Sequence, residues 1–183
     1  MSSDYLRIGD LALRGRHPDD VPVLQAELYN DVLTRSQADS RPWRPLPPDA
    51  AASPYAVAVV DDAAFFSVVS GPEAELSGEA LLWGIDTHNR LAHLGLALLP
   101  RFRGRGLSVG VLQLLCRYGF SVRGLNRLQL ETNADNAPMM RAAARVGFAE
   151  EGRLRQAAWV AGSFNDTVVM GLLSAGWNKD DTT

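Results

Sequence analysis

A short run of arginines and glycines follows an apolar segment in the second half of the chain. Arg101, Arg103 and Arg105 surround Gly104 and Gly106, and apolar residues at helical spacing begin directly after them. Glycine lets the backbone turn tightly and expose its N–H groups, and the first N–H groups of a helix have no partner inside it. Such groups bind phosphate, helped by the helix dipole and here by three guanidinium groups. The pattern therefore predicts a phosphate or pyrophosphate site in this loop.

A dinucleotide is one ligand that could place its pyrophosphate there. The spacing Gly104-x-Gly106-x-x-x-Gly110 is related to the dinucleotide-binding fingerprint, and Glu131 ends the next predicted strand, where such a fold carries its ribose-binding acid. An NAD(P)-binding oxidoreductase needs this loop after a first parallel strand, with strand–helix alternation beyond it. Here a long antiparallel pattern precedes the loop, so the oxidoreductase is the less favoured alternative.

Composition excludes several other classes. The chain has 183 residues, a formal net charge of −3 and one cysteine, Cys116. This fits a single domain without a basic nucleic-acid footprint, and one cysteine provides neither an intrachain disulfide nor a cysteine zinc site. The histidines (His17, His88 and His93) do not have metal-ligand spacing, so no metal is predicted. No leader pattern or membrane-length apolar run is found, so we expect a cytoplasmic protein without membrane contact.

Hydrophobic periodicity predicts a mixture of strands and helices, and the chain ends in a polar C-terminal tail over residues 174–183. The predicted strands are Tyr5–Arg16, Tyr55–Val60, Ala64–Val69, Glu79–Asp86, Leu91–Leu98, Arg127–Glu131, Phe148–Val160 and Phe164–Leu173. Helical spacing is found from Val23 to Leu33, over Ser108–Val122 and over Ala137–Val146. A long Pro-rich loop over Ser36–Pro54, with room for one helical turn, is typical of functional or mobile segments.

Taken in order, these motifs resemble the GNAT N-acetyltransferases. Arg101-x-x-Gly104-x-Gly106 is similar to their acetyl-CoA signature of Gln or Arg, two residues, Gly, one residue, and Gly or Ala. The downstream motifs resemble the branch that includes ribosomal-protein N-terminal acetyltransferases and many small-amine acetyltransferases: Asn126-Arg127-Leu128-x-Leu130-Glu131-x-Asn133, Asn136, Gly147-Phe148 and Glu151-Gly152-x-Leu154.

The resemblance covers residues 5–173 and implies a single α/β (α+β) domain of GNAT fold. Its mixed sheet would have about seven strands splayed in the middle, with about four helices. It also implies an enzyme that transfers an acetyl group from acetyl-CoA, its co-substrate, to a primary amine of a small molecule or a peptide N-terminus. The backbone of Leu96 and Leu98 would pair with the pantetheine arm, and Asn133 and Asn136 would lie near the sulfur. The pyrophosphate would be wrapped by Arg103, Gly104, Arg105, Gly106, Leu107 and Ser108. A homodimer is compatible with such folds.

The catalytic groups of the family are largely missing at the matching positions. Ala143 replaces a tyrosine acid, Met139 replaces a serine, and Ala158 replaces a glutamate. His93 stands where relatives have a glutamate base, and imidazole can accept a proton near neutral pH. A structural hydrogen bond is the alternative role for His93, and Glu131 could instead feed a water chain. These departures leave a second hypothesis open, a catalytically weakened module that only binds acyl-CoA.

The tryptophans are candidates for an acceptor pocket. Trp43, Trp83 and Trp159 could line it or belong to the core, and Trp43 is the strongest candidate because it lies in the Pro-rich loop. Cys116 lies on the apolar side of a predicted helix, where it would be an inert core residue.

Overall fold

The computed structural model describes residues 4–38, 41–47, 53–56 and 59–178. A single sheet has the order β1-β2-β3-β4-β5-β6-β8-β7. Its strands are β1 (Arg7–Ile8), β2 (Leu11–Gly15), β3 (Ala63–Ser70), β4 (Glu75–Asp86), β5 (Leu91–Leu98), β6 (Arg127–Asn133), β7 (Ala149–Val160) and β8 (Ser163–Leu173). Neighbouring strands are antiparallel except β5 and β6, which are parallel. The mixed sheet predicted from the sequence is confirmed, with eight strands in place of about seven.

The extra strand comes from a break in the predicted first strand. Gly9 has a φ of +55° and turns the chain, so that β1 and β2 pair with each other, Ile8 with Leu11. A positive φ is accessible to glycine at little cost, which is why the break falls there.

Four α-helices complete the fold. They are α1 (Asp20–Leu24), α2 (Val32–Ala38), α3 (Leu107–Cys116) and α4 (Ala137–Val146). Two of them continue as π-helix, α1 over Gln25–Tyr29 and α3 over Arg117–Val122. Within the described residues, no helix combines the length and apolar character needed to cross a bilayer.

The central feature of the sheet is a gap between β5 and β6. These strands pair only from Leu91 with Arg127 to His93 with Gln129. Beyond that point β5 remains paired with β4 as far as Leu98, and β6 remains paired with β8 as far as Asn133. Each strand follows its own half of the sheet, so their facing backbone edges separate and are left without each other as hydrogen-bond partners. We call this opening the gap.

The two sheet faces carry different cores. Alternate residues of the central strands, such as Leu82, Leu94 and Leu128, pack against α3 and α4 in the larger core. On the opposite face, which we call the α1 face, a smaller core includes Leu24 and Leu28. The alternation of a strand assigns the remaining residues of β5 and β6 to the α1 face. Cys116 is fully buried in the larger core, and burial raises the pKa of its thiol, in agreement with an inert role.

The predicted strand Tyr55–Val60 is wrong for its described part. Residues 53–56 form a turn, residues 59 and 60 are in no strand, and residues 57 and 58 lie outside the described residues. The next strand along the chain, β3, already pairs with β2 on one edge and with β4 on the other, so it has no free edge for another strand. Tyr55 instead enters the smaller core with 2% of its surface exposed.

Two further expectations are corrected at helix and domain ends. The helical spacing from Val23 to Leu33 is interrupted because Asp31 accepts a hydrogen bond from Thr34 N and so begins a new helix, leaving Val32 and Leu33 exposed. Packed structure also extends beyond residue 173, because the ring of Trp177 packs against that of Phe120 with 5.4 Å between centroids. Residues 39–40 and 48–52 of the predicted loop, and 179–183 of the predicted tail, lie outside the described residues.

A buried carboxylate fastens α1 to the sheet. Asp20 is 5% exposed and accepts two hydrogen bonds from Arg14, at 2.6 and 2.9 Å. Ser67 Oγ on β3 and the backbone N–H of His17 also donate to it, at 2.6 and 2.8 Å. Burial alone would raise the pKa of Asp20, but these donors outweigh it and hold the pKa well below the usual range.

We predict that Asp20→Asn destabilises the fold by roughly 2 kcal/mol near neutral pH, because a charged acceptor of several hydrogen bonds is lost. A lowered folded pKa contributes stability that is complete above the unfolded pKa of about 3.9 and is lost as the pH falls below it. The difference in unfolding free energy between the variant and the natural chain should therefore become smaller when urea unfolding is measured at pH 3 rather than at pH 6. Asp19→Asn, an exposed neighbour, serves as control; an equal effect there would contradict the assignment.

Candidate active site

The arginine–glycine loop lies at the open end of the gap, directly after β5. A 3-10 turn over Pro100–Phe102 leads into Gly104 and Gly106, whose φ angles are +72° and +78°. Gly106 is the N-cap of α3 and, having no side chain, leaves the first N–H groups of the helix uncapped. A Cβ at either glycine would meet nothing within 4 Å, so both are needed for backbone direction rather than for space. Residues 103–106 are exposed, and the first turn of α3 follows them directly.

The three arginines of the loop have different roles. Arg101 bonds with both oxygens of Glu27 at 2.7 Å and with Glu75 at 3.2 Å, so its charge is already used to join the α1 segment to β4. The expectation that it adds free charge to the anion site is therefore corrected. Arg105 lies over the Phe102 ring, 5.2 Å from its centroid, and remains at the loop surface.

Arg103 connects the loop to both β5 and α2. Its Nε donates to the Leu98 carbonyl at 3.0 Å, and its NH1 donates to Thr34 Oγ1 at 3.3 Å. Hydrogen bonds from Thr34, helped by the nearby charge of Arg103, lower the pKa of Asp31. The start of α2 is thus held beside the loop.

The two asparagines lie at the same end of the gap, on the β6 side. Asn133 is the last residue of β6, and its Nδ2 donates to the Gln37 carbonyl at 3.2 Å, so it joins β6 to α2. Asn136 caps α4: its Oδ1 accepts from Met139 N at 3.3 Å, while its Nδ2 donates to Thr132 Oγ1 at 3.0 Å. Their amides support α2 and α4 in this structure.

His93 lies where β5 and β6 begin to separate, on the α1 face. It belongs to the last pair between the two strands. The imidazole stacks on the indole of Trp83, with 5.6 Å between centroids and 23° between planes. The side chain is half-buried and close to the unpaired edge of β5 that begins one residue later.

A polar line along β6 was not predicted in full from the sequence. Arg127 pairs with Glu151 and donates to Gln129 Oε1 at 3.1 Å, and Gln129 Nε2 donates to Glu131 at 3.2 Å. The Arg127 bond lowers the pKa of Glu151. The signal in the sequence is the alternation of polar residues 127, 129 and 131 with buried leucines, which puts all three on the α1 face.

Comparison with known proteins identifies the family. A family model described as an acetyltransferase (GNAT) domain matches residues 10–149. The chain belongs to the GNAT acetyltransferase family. The putative ribosomal N-acetyltransferase YdaF of Bacillus subtilis (strain 168) is 30% identical over 108 residues, which are 59% of this chain and 59% of that protein. Spermidine N(1)-acetyltransferase of Escherichia coli (strain K12) is 26% identical over 98 residues, 54% and 53% of the two chains. The chain matches little more than half the length of these relatives.

Solved structures show the same fold over nearly the whole chain. A spermidine N-acetyltransferase from Vibrio cholerae, crystallised with CoA and spermine, superposes with a TM-score of 0.83 at 21% identity. The superposition covers 92% of this chain and 98% of the other. A GNAT fold with one parallel strand pair is incompatible with the doubly wound sheet that the NAD(P) alternative requires, so that alternative is wrong.

At the three positions where the resemblance implies a tyrosine, a serine and a glutamate, this chain has side chains without a titratable group. Ala143 is fully buried, Ala158 is 9% exposed, and Met139 is half-buried against the larger core. Tyr118 packs edge-on against Phe66, 5.0 Å between centroids, within the same core. The structure thus offers none of these side chains as a proton donor at the gap.

The tryptophans separate into three environments. Trp43 donates from Nε1 to the Tyr29 carbonyl at 3.0 Å and packs on the smaller core, so its expected role in an acceptor pocket is not supported. Trp159 forms an exposed pair with Phe164 on the β7–β8 hairpin, 4.7 Å between centroids. Only Trp83 lies beside the gap, because β4 pairs with β5 there.

We predict that Gly104→Ala and Gly106→Ala each destabilise this GNAT domain by about 1 kcal/mol, since a side chain is strained at positive φ even where space is free. Urea unfolding measures the effect. Gly152→Ala is the control, because no atom lies within 4 Å of its Cβ position and no positive φ is present. A loss at Gly152 as large as at the two loop glycines would contradict the backbone explanation.

Proposed function

We propose that this chain is an N-acetyltransferase that transfers an acetyl group from acetyl-CoA to a primary amine, on a small molecule or at a peptide N-terminus. The observation that supports it is the gap between β5 and β6, which ends at an exposed loop of amides and arginines. A slot with unpaired backbone edges suits an extended pantetheine arm, and the loop suits the pyrophosphate attached to it.

The residues present fit such a molecule. The pyrophosphate would be held by Arg103, Gly104, Arg105, Gly106, Leu107 and Ser108, whose amides precede or begin α3. Leu96 and Leu98 lie on the β5 edge that has lost β6 as a partner, so their backbone groups are suited to pair with the amides of the arm. The Leu98 carbonyl already accepts a hydrogen bond from Arg103 Nε, so the arm would have to share this acceptor or displace the guanidinium. Asn133 and Asn136 border the gap from β6, and their present hydrogen bonds to Gln37 and Thr132 would have to coexist with that contact.

The chain's own groups suit acyl transfer to an amine. When bound, acetyl-CoA supplies a thioester carbonyl open to attack. An N–H on the unpaired edge of β5 is a suitable donor to the oxygen of that carbonyl as charge develops on it. An amine is mostly protonated near neutral pH, so a base must remove a proton, and His93 at the start of the gap is our candidate. The thiol leaving group needs little help because its pKa is about 8.5.

A second candidate function is binding of acyl-CoA without efficient transfer. The observation that favours it is the presence of Ala143, Met139 and Ala158 where the resemblance implies reactive side chains. Transfer remains the first proposal, since the thiol is a good leaving group without an acid.

The relatives support an amine acceptor, because they include two spermidine acetyltransferases and a putative ribosomal one. Location in the cytoplasm and homodimer formation stay predictions from the sequence.

The test combines binding and turnover. We expect acetyl-CoA to bind in isothermal titration and NADP not to bind, and free thiol to appear when amines are added. Gly104→Trp should remove acetyl-CoA binding while thermal unfolding remains cooperative. Binding without thiol release over a broad amine panel would favour the second candidate. Tight binding by Gly104→Trp would contradict the loop assignment.

For His93 we predict that His93→Gln lowers kcat/KM by about a hundredfold if it is the base, and removes the acidic limb of the pH–rate profile. Gln keeps a polar side chain of similar length beside Trp83. His88→Gln, in the exposed β4–β5 turn, is the control. An unchanged pH–rate profile for His93→Gln would exclude His93 from proton transfer.

A further inference from the structure

Gly95 of β5 and Glu131 of β6 are the first residues on the α1 face beyond the last β5–β6 pair. The last pair between β5 and β6 is His93 with Gln129. Gly95 and Glu131 each come two residues later, so both face the α1 face, on opposite walls of the gap. Whatever approaches the gap from this face passes between these two positions.

The indole of Trp83 covers the Gly95 position. A Cβ on Gly95 would lie 3.1 Å from Cζ3 of Trp83, so the ring occupies the space that any larger residue would need. The same ring stacks on the imidazole of His93. Even so, Trp83 is 40% exposed, which is unusual for so large an apolar group in the middle of a sheet. An exposed indole beside the gap is a surface on which alkyl chains and cations bind.

On the other wall, Glu131 is held in place by its neighbours. Gln129 Oε1 accepts from Arg127, which fixes the amide so that Nε2 donates to Glu131 Oε1. Within the described part of the chain this is the one hydrogen bond to the Glu131 side chain. The carboxylate is exposed and has accepting capacity to spare.

The charges around Glu131 favour a cation. Arg127 forms an ion pair with Glu151, and the two charges cancel. The Glu151 carboxylate lies over Gly171 of β8. Gln129 is uncharged. Glu131 therefore leaves one net negative charge on this part of the α1 face, opposite an aromatic ring.

We infer that Trp83 and Glu131 form a subsite for a positively charged part of the acceptor, which reaches the gap from the α1 face. That the cation belongs to an acetyl acceptor rests on the proposed function. Binding of the cation does not depend on acetyl transfer. The ligand class is an alkyl amine with a second positive charge: its methylene groups lie on the indole, and an ammonium group donates to Glu131. An amine whose far end is a carboxylate is disfavoured by the same charge.

The experiment uses two probes of equal chain length, 1,4-diaminobutane and 4-aminobutanoate. Each is titrated into the protein calorimetrically, with and without CoA, so that no acetyl transfer occurs. We expect the diamine to bind and the amino acid to bind more weakly. Glu131→Gln should weaken diamine binding about fivefold, the size of a good exposed ion pair, and Trp83→Leu about threefold. Glu131→Lys should reverse the preference between the two probes.

Matched controls are Glu73→Gln in the exposed β3–β4 turn and Trp159→Leu on the β7–β8 hairpin. Both should leave diamine binding unchanged. The inference is overturned if the natural chain shows no saturable diamine binding, or if Glu131→Gln and Trp83→Leu bind the diamine as the controls do. Diamine binding with the expected losses but without thiol release from acetyl-CoA would refute the proposed transfer and leave the subsite standing.

Discussion

The site depends on one departure from regular pairing, the separation of β5 from β6 after His93 and Gln129. A continuous parallel pair would satisfy both backbone edges and close the sheet. Here each strand keeps its outer partner to its end, so the gap is supported by two intact half-sheets rather than by its own contacts. Unpaired peptide groups are costly when buried and dry, which makes an extended amide-bearing ligand a natural partner for these edges.

The contacts around the gap join it to the elements outside the sheet. Arg103 reaches Leu98 and the start of α2, and Asn133 reaches the end of α2. Asp20 attaches α1 to β3 through a hydrogen bond from Ser67. The helices on the α1 face are thus positioned by polar contacts with the sheet in addition to the smaller core, while α3 and α4 pack against the larger core. A ligand in the gap would meet both kinds of support at once.

The proposed transfer and the proposed subsite depend on different parts of this arrangement. The loop before α3 is the proposed pyrophosphate site, and contacts through backbone amides tolerate many side chains. Trp83 and Glu131 lie on the α1 face, where the particular side chains of this chain decide charge and shape. Ala143, Met139 and Ala158 offer no titratable group, so the proposed subsite does not depend on those positions.

The sequence alone determined the features that rest on local chemistry. The glycine positions, the caps of α4, and the limits of β5 at Leu91–Leu98 and of α4 at Ala137–Val146 follow from turn, capping and periodicity rules that act over a few residues. Contacts between distant parts of the chain decided the features that the sequence did not predict correctly. Tyr55–Val60 has strand-like residues, but β3 has no free edge with which it could pair. Arg101 has the pattern of a phosphate ligand, but its guanidinium binds the carboxylates of Glu27 and Glu75. Trp43 lies in a Pro-rich segment, but its indole donates to the Tyr29 carbonyl and packs on the smaller core. Such outcomes depend on residues distant in the chain, so only the tertiary structure could settle them.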